Sequence, residues 1–165
     1  MAIAGLLYLI MTSVRNLNII SQSAGQTEDI AQKIGDKLLG AEVIELVADL
    51  GGGKTTFVRG LAQGIGSTNN VSSPSFTISN EYSGTKLELI HFDFYRLEKA
   101  GLIENSLVEF VGKPNNVVVI EWADIVKHVL PEKRLTINFS FIDENSRRLA
   151  LSYPESLEYL VEGLS

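Results

Sequence analysis

The stretch Ala48-Asp49-Leu50-Gly51-Gly52-Gly53-Lys54-Thr55-Thr56 sets the kind of domain this chain forms. An apolar run, Val43-Ile44-Glu45-Leu46-Val47, precedes it, and a helical pattern, Phe57-Val58-Arg59-Gly60-Leu61-Ala62, follows. Strand, glycine-rich turn, Lys-Thr and helix, in that order, form the context of a phosphate-binding loop. A phosphate chain needs many N–H donors at short range, and glycine lets the main chain approach without a Cβ in the way. The helix that starts at the loop adds unpaired N–H groups and the positive end of its dipole. In such a loop Gly51, Gly52 and Gly53 cradle phosphate, Lys54 reaches the β- and γ-phosphates, and the Thr55 hydroxyl binds Mg²⁺. Thr56 is placed to touch the α-phosphate. The pattern ordinarily begins with glycine, and here that position is Ala48. If the backbone there needs φ > 0, alanine costs about 1 kcal/mol or more. If Ala48 holds a strand-end conformation, the loop keeps its shape. A glycine-rich turn that binds nothing is the bland alternative; three glycines and Lys-Thr-Thr after a buried strand argue against it.

Composition narrows the rest. A chain of 165 residues, 45% of them hydrophobic, is long enough for one domain with its own core. Residues 19–165 are expected to form that domain and residues 1–18 an N-terminal extension. The apolar start, Met1 to Ile10, lacks a basic n-region and is too short to span a bilayer. It is read as an extension ahead of Met11 or a loose arm, with a short edge strand or helix as the alternative. A net charge of −6 makes direct, stable nucleic-acid binding unfavourable, because the phosphate backbone dominates such affinity. A role touching RNA would pass through a partner protein. There are no cysteines and only two histidines, His91 and His128. That excludes a disulfide framework, a thiolate zinc site and a histidine metal cluster. Mg²⁺ held by oxygen ligands is what the inventory allows.

Ser23-Ala-Gly-Gln26 has capping-box spacing, and Ile30, Ile34 and Leu38 recur at helical spacing. The pattern predicts a helix over 24–39, ended by Gly40. Glu45 is unusual in a strand covered on both faces; it must be near an edge or paired. The helix after the loop is expected to run to about Gln63. Val71-Ser72-Ser73-Pro74-Ser75-Phe76-Thr77 follows, with hydroxyls around a rigid proline. It reads either as a switch-like loop that senses the γ-phosphate or Mg²⁺, or as an ordinary surface loop. Phe76–Tyr82 and Leu87–Asp93 read as a hairpin. Asp93 ends its strand, where a carboxylate can orient an attacking water or serve as the N-cap of a helix in the segment that follows. His91, mid-strand, reads as a packed or edge histidine rather than a catalyst, and Arg96 as a structural salt-bridge residue, with a phosphate contact as the alternative. Amphipathic pieces fill 97–111, broken at Gly101.

Val117–Ile120 is wholly apolar and β-branched, and ends in Glu121-Trp122. A buried parallel strand with an acid at its carboxyl end is the Walker B arrangement, in which the acid holds Mg²⁺ directly or through water. Trp122 either shields a nucleotide or fills core. A short helix over Asp124–Val129, a hairpin from Leu135–Ile142 and Arg147–Tyr153, and a last helix over Ser156–Gly163 complete the chain. The expected fold is α/β: a P-loop domain with a mostly parallel central sheet, added antiparallel hairpins, and flanking helices.

Four blocks in this order resemble the TsaE (YjeE) family, P-loop ATPases of bacterial tRNA threonylcarbamoyladenosine biosynthesis. They are Asp49-Leu-Gly-Gly-Gly-Lys-Thr-Thr-Phe-Val-Arg-Gly60, Val71-Ser-Ser-Pro-Ser-Phe76, His91-Phe-Asp-Phe-Tyr-Arg96 and Ile120-Glu-Trp122. The family's usual loop has Gly-Ala-Gly before the lysine, so Gly52 departs from it, as does Ala48; Ser75 stands where threonine is usual. The resemblance implies a cytoplasmic, Mg²⁺-dependent ATPase, monomeric when isolated. It would act on the TsaD–TsaB complex to support threonylcarbamoyl transfer to adenosine 37 of tRNA. Carried over by position, Gly51 to Thr56 hold the phosphates of ATP, and Thr55 and Glu121 bind Mg²⁺. Lys54, Asp93 and Glu121 would serve the chemistry. Ser75, Trp122, Thr27, Asp124 and Arg147 would line the nucleotide site or its rim.

Two rivals come from elsewhere. A nucleotide-gated binding module without hydrolysis is kept open by Ala48. A small-molecule kinase would need a cationic lid, for which Arg147-Arg148 is the sole candidate and no lid-length insertion exists. A GTPase would need an Asn-Lys-x-Asp base-reading motif, which the chain lacks.

Overall fold

A computed structural model describes residues 13–164 apart from Ser75 and Ala100. The reading of Met1–Ile10 therefore lies outside the described residues. The apolar runs form strands and the amphipathic stretches form helices. In order these are β1 (Val14–Ser21), α1 (Ala24–Gly35), β2 (Val43–Val47), α2 (Lys54–Gly64), β3 (Ser79–Ser83), β4 (Glu88–Asp93) and α3 (Ile103–Phe110). Then come β5 (Asn116–Glu121), a 3₁₀ turn (Ala123–Val129), β6 (Leu135–Phe141), β7 (Arg147–Pro154) and a second 3₁₀ segment (Glu155–Leu160).

Seven strands join in one sheet, ordered β1-β7-β6-β2-β5-β4-β3. The central four, β6-β2-β5-β4, run parallel, and the outer pairings β1–β7, β6–β7 and β3–β4 are antiparallel. The α/β expectation holds, with the hairpins at the sheet margins. Helices α1 and α2 cover one face, with Ile34, Phe57 and Leu61 in one core with Ile44, Leu46 and Val119 of the sheet. Helix α3 and the first 3₁₀ turn cover the other over Ile90, Phe92, Val118 and Ile120.

Several boundaries differ from the expected ones. The sheet begins at Val14, so the expected boundary at residue 19 falls inside β1, which pairs with β7 along its whole length. Its inward side chains alternate with polar Asn16 and Asn18, the pattern of an edge strand covered on one face. Helix α1 ends at Gly35, not near 39. There the two helices touch: a Cβ on Gly35 would lie 2.6 Å from Leu61 O, and one on Gly60 2.2 Å from Glu28 O. Gly40 instead turns the chain toward β2 with φ +109. The strand expected from Phe76 starts at Ser79, because Thr77 N and Ile78 N both donate to Pro74 O and curl the chain. Phe76 is left 85% exposed. The last helix is a 3₁₀ segment that begins right after β7.

Glu45 is resolved too. Strand β2 sits in mid-sheet, and Glu45 accepts from Arg134 Nε at 2.7 Å and from Thr136 Oγ1 at 3.3 Å. It is paired, and nowhere near an edge.

Candidate functional site

The carboxyl ends of β2, β4 and β5 lie side by side, and the glycine loop leaves the end of β2. That is where parallel sheets place ligands. Leu50 to Thr56, Ser73, Asp93, Tyr95, Glu121 and Trp122 line a cleft of about 320 Å³ at this edge. A larger groove of about 780 Å³ lies on the antiparallel side of the sheet, by Val14, Arg134 and Tyr153, away from the loop.

The loop has the shape that phosphate binding asks for. Gly51 and Gly53 have φ of +75 and +102, and a Cβ on either would meet nothing within 4 Å. Both backbones therefore open onto free space. Helix α2 has Gly53 at its N-cap position and no side-chain cap, whereas α1 is capped by Ser23, which accepts from Gln26 N at 3.1 Å. An uncapped first turn keeps its N–H donors available for an anion. Ala48 is not among the left-handed non-glycine residues, which are Ala41, Ile78 and Trp122 among the described residues. The strand-end alternative thus holds at Ala48, without backbone strain. Its Cβ does have a consequence: a Cβ on Gly52 would lie 2.6 Å from it.

Lys54 is 6% exposed and donates to the carbonyls of Ala48 at 3.0 Å and Asp49 at 3.2 Å. Its ammonium lies 3.8 Å from Glu121 Oε2 and 5.0 Å from the centre of the Trp122 ring. The lysine arches back over the loop, with its charge facing the acid of β5. Asp93 and Glu121 are cross-strand partners in register. Asp93 Oδ2 accepts from Ser73 Oγ at 3.1 Å, and Oδ1 accepts from Tyr95 N at 3.0 Å. No helix starts directly after Asp93, so the helix N-cap alternative is not met; the carboxylate caps a turn instead and also lines the cleft. Trp122 follows Glu121 with φ +58 and sets its indole 5.1 Å from the Tyr95 ring.

The structure thus gathers Gly51, Gly52, Gly53, Lys54, Thr55, Thr56, Asp93, Glu121 and Trp122 in one cleft. Three other expected residues do not line it. Thr27 is buried, its hydroxyl within 2.7 Å of Ser21 Oγ. Asp124 is exposed on the 3₁₀ turn. Arg147 donates to the carbonyls of Asp143, Glu144 and Ser146 at the β6–β7 turn and stacks on Phe141. Ser75 lies outside the described residues. Arg96 sits over the Phe76 ring, in place of the expected salt bridge.

Sequence reasoning placed less weight on Ser73 and Tyr95, which flank Asp93, and on His91. His91 is fully buried, with Nε2 2.9 Å from Glu121 Oε1. The signal was present: His91 and Asp93 are two apart in one strand and so share a face.

The donor set suits a nucleotide with a divalent cation. Among the described residues no group of three or more acidic or histidine side chains forms a metal cage. A cation here would be held by the Glu121 carboxylate, the Thr55 hydroxyl and the phosphates themselves, the manner in which Mg²⁺ is usually bound.

Comparison with known proteins agrees with this geometry. The family described as "Threonylcarbamoyl adenosine biosynthesis protein TsaE" matches residues 21–149. The tRNA threonylcarbamoyladenosine biosynthesis protein TsaE of Bacillus subtilis is 35% identical over 141 residues, covering 85% of this chain and 88% of that protein. The TsaE of Aquifex aeolicus is 35% identical over 135 residues, covering 81% and 93%. The crystal structure of Bacillus subtilis YdiB superposes with a TM-score of 0.77 at 32% identity, over 92% of this chain and 95% of that one. With the family model matching residues 21–149 and relatives aligned over most of its length, this chain belongs to the TsaE family.

Proposed function

We propose that this chain is a Mg²⁺-dependent ATP hydrolase of the cytoplasm. It supports threonylcarbamoyl transfer to adenosine 37 of tRNA by acting on the TsaD–TsaB complex. The observation that carries the hydrolase reading is one cleft holding the open glycine loop, the uncapped α2, Lys54, and two in-register acids, Asp93 and Glu121. Family membership supports the place in tRNA modification.

In this reading the loop amides and the first turn of α2 bind the phosphates, and the Lys54 ammonium leaves its two loop carbonyls to meet the β- and γ-oxygens. Thr55 and Glu121 would hold the cation, whose charge would offset the negative charge on the phosphate oxygens during transfer. Asp93, held by Ser73 and the Tyr95 amide, orients the attacking water and takes its proton. Catalysis of this kind is positioning and charge stabilisation. No arginine lines the cleft among the described residues, so the TsaD–TsaB complex completes the site and raises a slow basal rate.

The test is Mg-ATP turnover by the full chain, with and without TsaD–TsaB. Partner-stimulated turnover is expected. Asp93→Ala should lower it by about 10²–10⁴-fold with nucleotide affinity kept within a few-fold. Lys54→Ala should weaken nucleotide binding by about ten-fold or more, the worth of charge-assisted hydrogen bonds to phosphate. Nucleotide binding with no turnover under either condition would favour a nucleotide-gated binding module instead.

A further inference from the structure

The buried neighbour of Glu121 is a group that the proposed chemistry leaves without a task. His91 lies in β4, fully buried, two residues before Asp93. Val119 is the register partner of His91, and Glu121 that of Asp93. His91 and Glu121 are therefore diagonal neighbours on one face of the sheet, a spacing that long side chains can bridge. They do bridge it, at 2.9 Å between Nε2 and Oε1. A carboxylate only accepts, so Nε2 carries a proton and donates it to Oε1. The other ring nitrogen, Nδ1, is buried and without a hydrogen-bond partner.

Packing alone does not account for this residue. A fully buried imidazole with one unpartnered nitrogen is disfavoured against an apolar side chain of similar volume. Its strand neighbours Leu89, Ile90 and Phe92 are apolar and buried. What the imidazole adds is one directed hydrogen bond to one oxygen of one carboxylate. Glu121 has three side-chain torsions, so its carboxylate could face several ways. With Oε1 held by His91, Oε2 is the oxygen left on the Lys54 side, 3.8 Å from the ammonium.

We propose that His91 is a positioning residue for Glu121. It holds one carboxylate oxygen so that the other is presented beside Lys54, where a divalent cation on nucleotide phosphates is met. The inference rests on the reading of this cleft as a Mg²⁺–nucleotide site. It adds a hydrogen-bonded support behind the acid, of the kind that orients metal-binding side chains elsewhere.

The test compares nucleotide affinity with and without Mg²⁺ for the full chain, read by calorimetry or by the fluorescence of Trp122, the single tryptophan. The probes are ADP and a non-hydrolysable ATP analogue. The quantity of interest is the ratio of affinities with and without the cation. A merely structural role moves both affinities together and leaves this ratio unchanged. His91→Leu removes the donor, and His91→Asn places its amide too near the backbone to reach Glu121. Both should lower the ratio by about ten-fold. His91→Gln places an N–H near the position of Nε2 and should keep the ratio within about two-fold of wild type. If the leucine variant does not fold, the Asn and Gln pair decides, since both are polar and close in size. An unchanged ratio in His91→Asn overturns the inference, and so does an equal loss in His91→Gln. A wild-type chain that binds nucleotide no better with Mg²⁺ overturns the site reading beneath it, and that failure shows before any variant is made.

Discussion

At the residue scale, the loop's departures from the usual phosphate-loop pattern are linked. Ala48 takes the place of the first glycine, and Gly52 stands where TsaE-like loops carry alanine. A Cβ on Gly52 would lie 2.6 Å from the Cβ of Ala48, far inside van der Waals contact. The Ala48 methyl is the first obstacle to a side chain at 52, and the Asp49 carbonyl, 3.0 Å from the same Cβ, is the second. Gly52→Ala should therefore distort the loop and weaken nucleotide binding by about ten-fold, corresponding to the 1–3 kcal/mol typical of overpacking. The double variant Ala48→Gly with Gly52→Ala removes the closer contact and should recover part of that loss, the Asp49 carbonyl contact remaining. A double-mutant cycle by calorimetry measures the coupling, and strictly additive effects would contradict it. The three glycines and Lys54 were legible in the sequence because local spacing dictates them. The Ala48–Gly52 contact was not, since it depends on how tightly the loop folds back.

At the element scale, α1 and α2 are pressed together through glycines. A Cβ on Gly60 would lie 2.2 Å from Glu28 O and 2.6 Å from Ala31 Cβ, and one on Gly64 2.5 Å from Gln32 O. Backbone atoms cannot yield as a flexible side chain can. Gly60→Ala should destabilise the chain by about 1–3 kcal/mol, read as a lowered midpoint in urea unfolding. Because α2 starts at the loop, the same variant should also weaken nucleotide binding; an unshifted midpoint would show that the helices part freely. Helical periodicity predicted both helices, yet it ran α1 on to residue 39. The period continues through Leu38, but the close approach to α2 and the turn at Gly40 end the helix earlier. The strand expected from Phe76 failed for a similar reason: its alternation is real, but Pro74 accepts two backbone bonds that curl it.

At the scale of the whole molecule, the C-terminal segment is tied to the start of β2. Buried Glu42 accepts from Leu39 N, Gly40 N and the Tyr159 hydroxyl, the last at 2.8 Å. Burial, and then the Glu42 hydrogen bond and charge, push the Tyr159 phenol well above the ordinary tyrosine value of 10.0. A raised value in the folded state means the folded chain holds this proton more tightly than the unfolded one. The stabilisation is fully present below pH about 10 and is lost as the pH rises through the folded value. Tyr159→Phe should therefore lose stability at neutral pH, and its deficit against wild type should shrink above pH about 10. Urea unfolding of both chains at neutral and alkaline pH checks the sign; a constant deficit would contradict it.

The sequence by itself determined the α/β class, the phosphate loop, the acid at the end of β5 and the family resemblance. These rest on local rules: a loop needs its glycines, a buried parallel strand needs its apolar run, and a short motif carries its own geometry. Only the tertiary structure decided what faces the cleft. It set Asp93 opposite Glu121, placed His91 behind that acid, paired Glu45 with Arg134, turned Thr27 and Arg147 toward other partners, and left Asp124 exposed. The physical reason is that strand order and register join residues dozens of positions apart, and no local pattern encodes which strand will lie beside which.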